Sequence, residues 1–525
     1  KGLFRPGRSL QMLGFSSMTS SSGEESNPES SDSSDGFERQ RKPVGLWAVA
    51  FMVYFNISGG PFGSEDVVGA CGPLPGLIGC VVFLLCWAVP GSLVTAELST
   101  AFPEDGGYSI WVAEVRAGMF KADDVARWFS PVYEALAQGK QAFGEFWGFM
   151  ESYLSWGSGV VDNALYPVLA YRTAALIYDG AWDSPLPSDD DDLHLASWQG
   201  YLCKFALVLI FSMPNFLASF NFGRGLGVAF LFVVLPFVVF VVSTLIGSGG
   251  GTWSNVLQVR RGTSVSDLAE LATTLYWNFS GFDCISTCAG EVSNPRRSIP
   301  RGLAMAVLFA ALSYILPLSA AVAHGEPAWR QWEAGWWSRI ALEQVGGWLA
   351  TWVVFAAFVS NFGMYIAELF EDSWQLAGMA NKGVVPRVFA WRHPTFDTPW
   401  VAIIFQVAII SALVAFDFVA ILNITNCLSV ASVLLEFAAF AKLRYSRPEL
   451  KRPISVPVQS GLGIAAFLCA PVFLGLLTFA SCFLGGGMVL PAINIAGLCA
   501  GPLLYVLMKR FAGSHYISTF EANAD

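Results

Sequence analysis

The chain has 525 residues, 54% of them hydrophobic and 13% charged, with a formal net charge of −10 at pH 7. Soluble domains carry roughly 25% charged residues, so this composition excludes an ordinary soluble domain. Much of the acid lies in two hydrophilic segments, so the net charge says little about partners, and no nucleic-acid partner is expected.

Residues 1–42 contain no apolar core, so no signal peptide is expected there. The stretch SSSGEESNPESSDSSDGFE (20–38) reads as a disordered, acidic, Ser-rich cytoplasmic tail. The chain begins at Lys1, and Met18 is a candidate start. From residue 44 on, the apolar residues gather in blocks of about 20, the length that crosses about 30 Å of hydrocarbon. Twelve spans are predicted: 44–71, 74–101, 144–177, 199–219, 223–247, 265–290, 302–323, 346–378, 399–416, 418–441, 459–484 and 487–509. All are read as helices, because only helices and closed barrels satisfy the backbone in lipid, and no alternating ten-residue pattern suggests a barrel.

Lys and Arg set the orientation. With the N-terminus inside, the inner segments hold Arg39, Arg41 and Lys42; Arg116, Lys121, Arg127 and Lys140; Arg296, Arg297 and Arg301; and the run from Lys442 to Arg452. The outer loops hold only Arg260, Arg261, Arg330 and Arg339, and the loop DGAWDSPLPSDDDDLHLAS (179–197) has no base at all. Both termini are therefore expected in the cytoplasm, with the plasma membrane as the default location.

The first and sixth spans are interrupted. YFNISGGPFGSED (54–66) puts two glycines and a proline into the first, and NFSGFD (278–283) puts Gly281 into the sixth. A break in lipid leaves backbone groups unpaired, so it is tolerated only where it is buried or lines a watery cavity. Matched interruptions in two halves of a chain point to a transporter's binding site. Spans one to five (43–247) and six to ten (265–441) are then two inverted repeats. Residues 459–509 add two helices, and 510–525 form a cytoplasmic tail.

Acids within spans are functional candidates by default. Here they are Glu65, Asp66, Glu97, Glu151, Asp162, Asp283, Glu291, Glu368, Glu371, Asp372 and Glu436, against only Arg172 and Lys204 near span ends. This excess calls for a proton, a metal ion or a cationic substrate. Asp162 lies about 27 Å along its helix if that helix begins at Gly144, at mid-membrane or somewhat beyond. Glu97, Glu291, Glu368, Glu371, Asp372 and Glu436 lie nearer the cytoplasm, where snorkelling or pairing with loops competes with a site role. Aromatic faces attract ammonium groups, and Tyr166, Tyr276, Trp277, Phe282 and Tyr365 sit beside these acids. The breaks, acids and aromatics give a candidate substrate set of Ser58, Gly59, Gly60, Glu65, Asp162, Tyr166, Tyr276, Trp277, Asn278, Gly281, Phe282, Asp283, Tyr365 and Glu368.

The ten cysteines show no metal spacing, the four histidines form no triad or metal cluster, and no phosphate-binding glycine motif occurs. No catalytic site, cofactor or metal is expected. The sequons at 56–58 and 278–280 fall inside the breaks, and the one at 423–425 falls at a span start, so none reads as a sugar acceptor.

SGGPFGSED, WAVPGSLVTAELSTAFPEDGGYSIWV (87–112), GVVDNALYPVL (159–169), AGEVSNPRRSIPRGL (289–303), FVSNFGMYIAELFEDSWQLAGM (358–379) and LLEFAAFAKLRYSRPELKRPISVP (434–457) carry a resemblance. From about Pro43 to Pro457 the chain resembles the amino acid–polyamine–organocation superfamily. It is similar in particular to plant and protozoan polyamine and amino acid permeases of the L-type amino acid transporter branch. The resemblance implies a five-plus-five inverted-repeat fold, alternating access, and a substrate site between the two breaks facing spans three and eight. It puts acids of this branch at Asp162, Asp283 and Glu368. It departs at Cys284, where the branch often has Lys, and at Ile366, where it often has Glu, so the choice between polyamine and amino acid stays open.

The resemblance also bears on coupling. Sodium carriers of this fold use hydroxyls on spans one and eight, of which Ser360 alone is in place. Some proton-coupled relatives use a Lys in span five, and residues 223–247 have none. A carboxylate is then left to carry the proton: Asp162, Asp283 or Glu65. Heteromeric exchangers of the L-type family hold a partner glycoprotein through a Cys after span three. Residues 179–198 have no Cys, so no disulfide-linked heavy chain is expected. The reading is a proton-coupled importer of polyamines such as putrescine and spermidine. The alternative is a permease for cationic or neutral amino acids, and the third choice is a non-transporting nutrient sensor.

Overall fold

The computed structural model describes residues 44–113, 142–179, 197–217, 222–247, 252–332, 335–416, 418–484 and 488–511. The expectations for the N-terminal tail, the basic segment before span three, the acidic loop with its lack of Cys, and the C-terminal tail lie outside these residues. Among the described residues the elements are all helical, apart from isolated bridges. They are α1 (Leu46–Ile57), α2 (Glu65–Cys71), α3 (Pro73–Ala101), α4 (Gly107–Ala113), α5 (Ala142–Asp162), α6 (Leu165–Asp179), α7 (Ser197–Leu217) and α8 (Phe222–Gly247). Then come α9 (Val265–Asn278), α10 (Pro295–His324), α11 (Trp337–Gln344), α12 (Gly347–Asn381), α13 (Trp400–Leu413), α14 (Phe418–Ser446), α15 (Gly461–Ser481) and α16 (Val489–Phe511). Eight of the described helices are long and apolar enough to cross a membrane, and α1 and α13 are shorter apolar helices. The chain is a multi-pass integral membrane protein.

Apolar faces turn outward as well as inward, as lipid allows. On α8, Val228, Leu231, Leu235, Val238 and Val242 form an exposed stripe at helical spacing, while Leu226, Val233, Phe237 and Phe240 are buried. The 35-residue α12 is different, since nearly every side chain from Ser360 to Ala380 is buried. It packs against α1, α5, α6, α8 and α13 and is the centre of the bundle.

The first span breaks where the glycines predict. Ser58 is extended, and its N–H bonds Tyr54 O at 2.7 Å. Gly60 then turns at φ +106°, a region open to glycine at little cost. The chain restarts at α2, whose first turn carries Glu65 and Asp66, the sign that a helix N-terminus favours.

The sixth span departs from expectation. A capping box at Ser264 and Asp267 opens α9, but after Gly281 (φ +95°) only two short 3₁₀ turns follow, at Cys284–Thr287 and Ala289–Glu291. The reason lies in tertiary pairing. Gly106 N–H bonds Thr287 O at 2.8 Å and Val44 N–H bonds Glu291 O at 3.3 Å, so neighbouring segments take carbonyls that a helix would have used.

Two further spans are interrupted at prolines. The second has a π turn at Leu84–Ala88 just before Pro90, which has no N–H to continue the ladder. The third, expected as one helix, divides into α5 and α6 four residues before Pro167 closes its first turn.

Near the expected cytoplasmic ends, Glu97 of α3 is fully buried and is held by Arg444 Nη2 at 2.5 Å, Arg452 Nε at 3.1 Å and Val456 N–H at 2.8 Å. This buried triad binds the segment after α14 beneath α3. For Glu97 the loop-pairing alternative is the one realised.

Candidate functional site

A cavity of about 150 Å³ lies where the two breaks meet α5, α6, α12 and α14. The breaks touch each other directly, because a Cβ on Gly281 would overlap the carbonyl of Asn56. Helical spacing explains the walls. Ser155, Ser158, Asp162, Tyr166, Leu169 and Thr173 follow one face of α5 and α6, and Asn361, Met364, Glu368 and Asp372 follow one face of α12.

Five carboxylates line this cavity: Asp66, Asp162, Asp283, Glu368 and Asp372. No Lys, Arg or His is among the lining residues. Asp162 is held by two donors. Tyr166 OH donates to Oδ2 at 2.6 Å, and Trp277 Nε1 donates to Oδ1 at 3.2 Å. Glu368 lies within reach of the same Tyr166 and keeps one oxygen without a hydrogen-bond partner. Asn163 donates to Asp372 at 3.3 Å. Glu371, one residue before Asp372, faces elsewhere and accepts from the Asn56 amide.

The backbone at the first break is largely committed to protein partners. Gly59 O accepts from Ser360 Oγ, Ile57 O from Tyr314 OH at 3.2 Å, and Pro61 O from Trp337 Nε1 at 2.7 Å. The Ser58 hydroxyl accepts from Gly60 N–H at 3.3 Å and donates to Gly60 O at 2.9 Å.

Of the sequence candidates, Ser58, Gly59, Asp162, Tyr166, Tyr276, Trp277, Asn278, Gly281, Asp283 and Glu368 come together around the cavity. Tyr276 also bonds Ser429 Oγ at 2.8 Å. Gly60, Glu65, Phe282 and Tyr365 do not line it. Glu65 is fully buried against the segment before α11 and accepts from Gly335 N–H at 2.5 Å. Tyr365 pairs with Ser212 Oγ at 2.8 Å, and Phe282 borders a smaller void beyond Gly281.

Sequence reasoning counted Asp66 and Asp372 among the span acids but left them out of the substrate set, and it passed over the α14 wall of Thr425, Asn426, Ser429 and Ser432. Asp372 stands four residues after Glu368, a spacing that puts both on one helix face. The small polar residues of α14 recur at the same period. Adjacent Glu65 and Asp66 carry no such signal, since a helix turns them onto different faces.

Toward the expected inner end, Arg392 gathers a group of acids outside the cavity lining. It bridges Asp105 at 3.9 Å, Glu291 at 3.5 Å and Asp397 at 3.3 Å, and it stacks on Trp374 at 4.3 Å.

A buried, acid-lined cavity at the crossing of two broken helices is the build of a membrane transporter. Residues 44–502 match the amino acid permease family, and the chain belongs to that family. It is 33% identical to polyamine transporter RMV1 of Arabidopsis thaliana, over 90% of this chain and 87% of that one. It is 34% identical to polyamine transporter PUT1 of Oryza sativa subsp. japonica, over 89% of this chain and 80% of that one. A shorter similarity, 27% over 39% of this chain and 45% of the other, joins it to branched-chain amino acid permease BcaP of Bacillus subtilis (strain 168).

Proposed function

We propose that this protein is a secondary carrier that imports polyamines by alternating access, with protons as the coupling ion. The observation that carries the reading is the lining of the cavity by Asp66, Asp162, Asp283, Glu368 and Asp372 with no basic residue among its walls. An amino acid would bring its own carboxylate into that field. A diamine brings two ammonium groups and no anion. Trp277, Tyr166 and Tyr276 add aromatic surfaces that favour a cation over them. The relatives named as polyamine transporters point the same way.

In this reading the substrate lies between the breaks. Asp162 and Glu368 hold one ammonium on the side of α6, and Asp283 faces the other. Asp162 and Asp283 are the candidates for proton exchange with the cavity. Glu65 fits a different role, tying α2 to the segment before α11. Residues 43–247 and 265–441 form the two inverted repeats, with both termini cytoplasmic and the plasma membrane as the site of action. The protein performs no covalent chemistry on its substrate and works without a disulfide-linked heavy chain.

The test is uptake of labelled putrescine into proteoliposomes under an inward proton gradient, with arginine and leucine as competitors. Saturable putrescine uptake that neither amino acid inhibits is expected. Transport of leucine or arginine without putrescine would overturn the substrate assignment in favour of an amino acid permease.

A further inference from the structure

Beyond the cavity, on the far side of Asp283, lies a second group of buried acids that the substrate site does not use. Glu151 of α5 is fully buried and Glu436 of α14 is 2% exposed. Asp283 and Glu436 place their carboxyls within hydrogen-bonding reach of each other. Ser432 Oγ donates to Glu151 Oε1 at 2.5 Å. The other oxygen of Glu151 and Oε1 of Glu436 have no hydrogen-bond partner. A separate void of about 20 Å³ is lined by Asp283 and Glu436 together with Thr95 and Ser280. That is room for about one water molecule, and too little for an ammonium substrate.

Among the described residues, no Lys, Arg or His is placed against the trio. The titratable groups facing it among those residues are Tyr108 of α4, Tyr276 of α9, Cys284 and Glu371 of α12. Arg444, two turns further along α14, is engaged by Glu97. Buried anions without a partner cost several kcal/mol each. The cheapest occupant of an orphan carboxylate oxygen beside a water-sized void is a proton.

We propose that Glu436 and Glu151 form a proton-binding site, and that Asp283, which borders both this void and the substrate cavity, links it to the substrate. With a proton on Glu436, that carboxyl donates to Asp283 and leaves Asp283 anionic toward an ammonium in the cavity. Without the proton, two anions face each other in an unpaired pocket. One proton therefore accompanies the loaded carrier, bound to a Glu436 oxygen and exchanged with water through the void.

This site rests on the carrier reading, so one arm of its test does not depend on the substrate. Purified protein is treated with dicyclohexylcarbodiimide, which modifies protonated carboxyls in apolar surroundings, and the peptides are mapped by mass spectrometry. Modification of Glu436 or Glu151 at neutral pH that falls as pH rises is expected. Absence of modification at both overturns the proton site, whatever the substrate proves to be.

The second arm uses proteoliposomes with Glu436→Gln, whose amide can still donate to Asp283. Putrescine counterflow within threefold of wild type is expected, with gradient-driven accumulation at least tenfold lower and restored by Glu436→Asp. Gradient-driven accumulation at the wild-type level, or counterflow that falls together with accumulation, overturns the proposal. If Glu436→Gln does not fold, Glu151→Gln is read by the same criteria. Failure of wild type to exchange putrescine sinks the substrate reading and leaves the labelling arm to decide the proton site.

Discussion

Asp162→Asn separates charge from shape at the centre of the cavity. The wild-type carboxylate accepts from Tyr166 at 2.6 Å and from Trp277 at 3.2 Å, so its position is fixed before substrate arrives. Asparagine keeps the size and one acceptor oxygen but loses the charge, and it turns an NH₂ toward one of the two donors. An ammonium about 4 Å from a carboxylate is worth about 4 kcal/mol at an effective dielectric near 20. Glu368 and Asp372 remain in the cavity lining and recover part of that. A net loss of about 2–4 kcal/mol corresponds to a fall of about 30- to 1,000-fold in kcat/KM. The assay is initial-rate uptake of labelled putrescine in proteoliposomes at matched protein content. Tyr166→Phe serves as the control, since it removes a hydrogen bond to the carboxylate and leaves the charge. A value for Asp162→Asn within threefold of wild type would refute the ion-pair argument. So would an equal loss in Tyr166→Phe, which would assign the effect to orientation.

Two further changes test what holds the site in place. Glu97→Gln strands Arg444 and Arg452, which share one buried carboxylate. Removing one side of a buried ion pair costs about 3–5 kcal/mol, so a lower melting temperature in detergent is expected, and an unchanged one would show that the triad carries no stability. Gly281→Ala puts a Cβ against the Asn56 carbonyl at a residue with φ +95°. Backbone strain of this kind costs about 1–3 kcal/mol before the overlap is counted. Reduced folded yield with loss of uptake is the expected result, and wild-type uptake would mean that the two breaks are not in contact.

The sequence by itself determined the class of molecule and the position of its irregularities. Apolar blocks of membrane-spanning length, and glycines inside two of them, are local features that the bilayer forces on any chain. They located Ser58, Gly59, Asn278, Gly281 and Asp283 at one cavity without reference to any contact. Tertiary structure decided which acids share that cavity. In a span that is apolar on every face, periodicity does not reveal which side meets protein and which meets lipid, as the two faces of α8 show. Adjacent Glu65 and Asp66 look alike in sequence, yet one ties α2 to Gly335 and the other lines the cavity. Glu97 and Glu436 likewise read as equivalent inner acids. Arg444 and Arg452 fold back onto Glu97, whereas no base reaches Glu436 among its described neighbours. The role of a buried carboxylate is fixed by the cation or carboxyl that the fold brings to it, and that partner lies tens to hundreds of residues away along the chain.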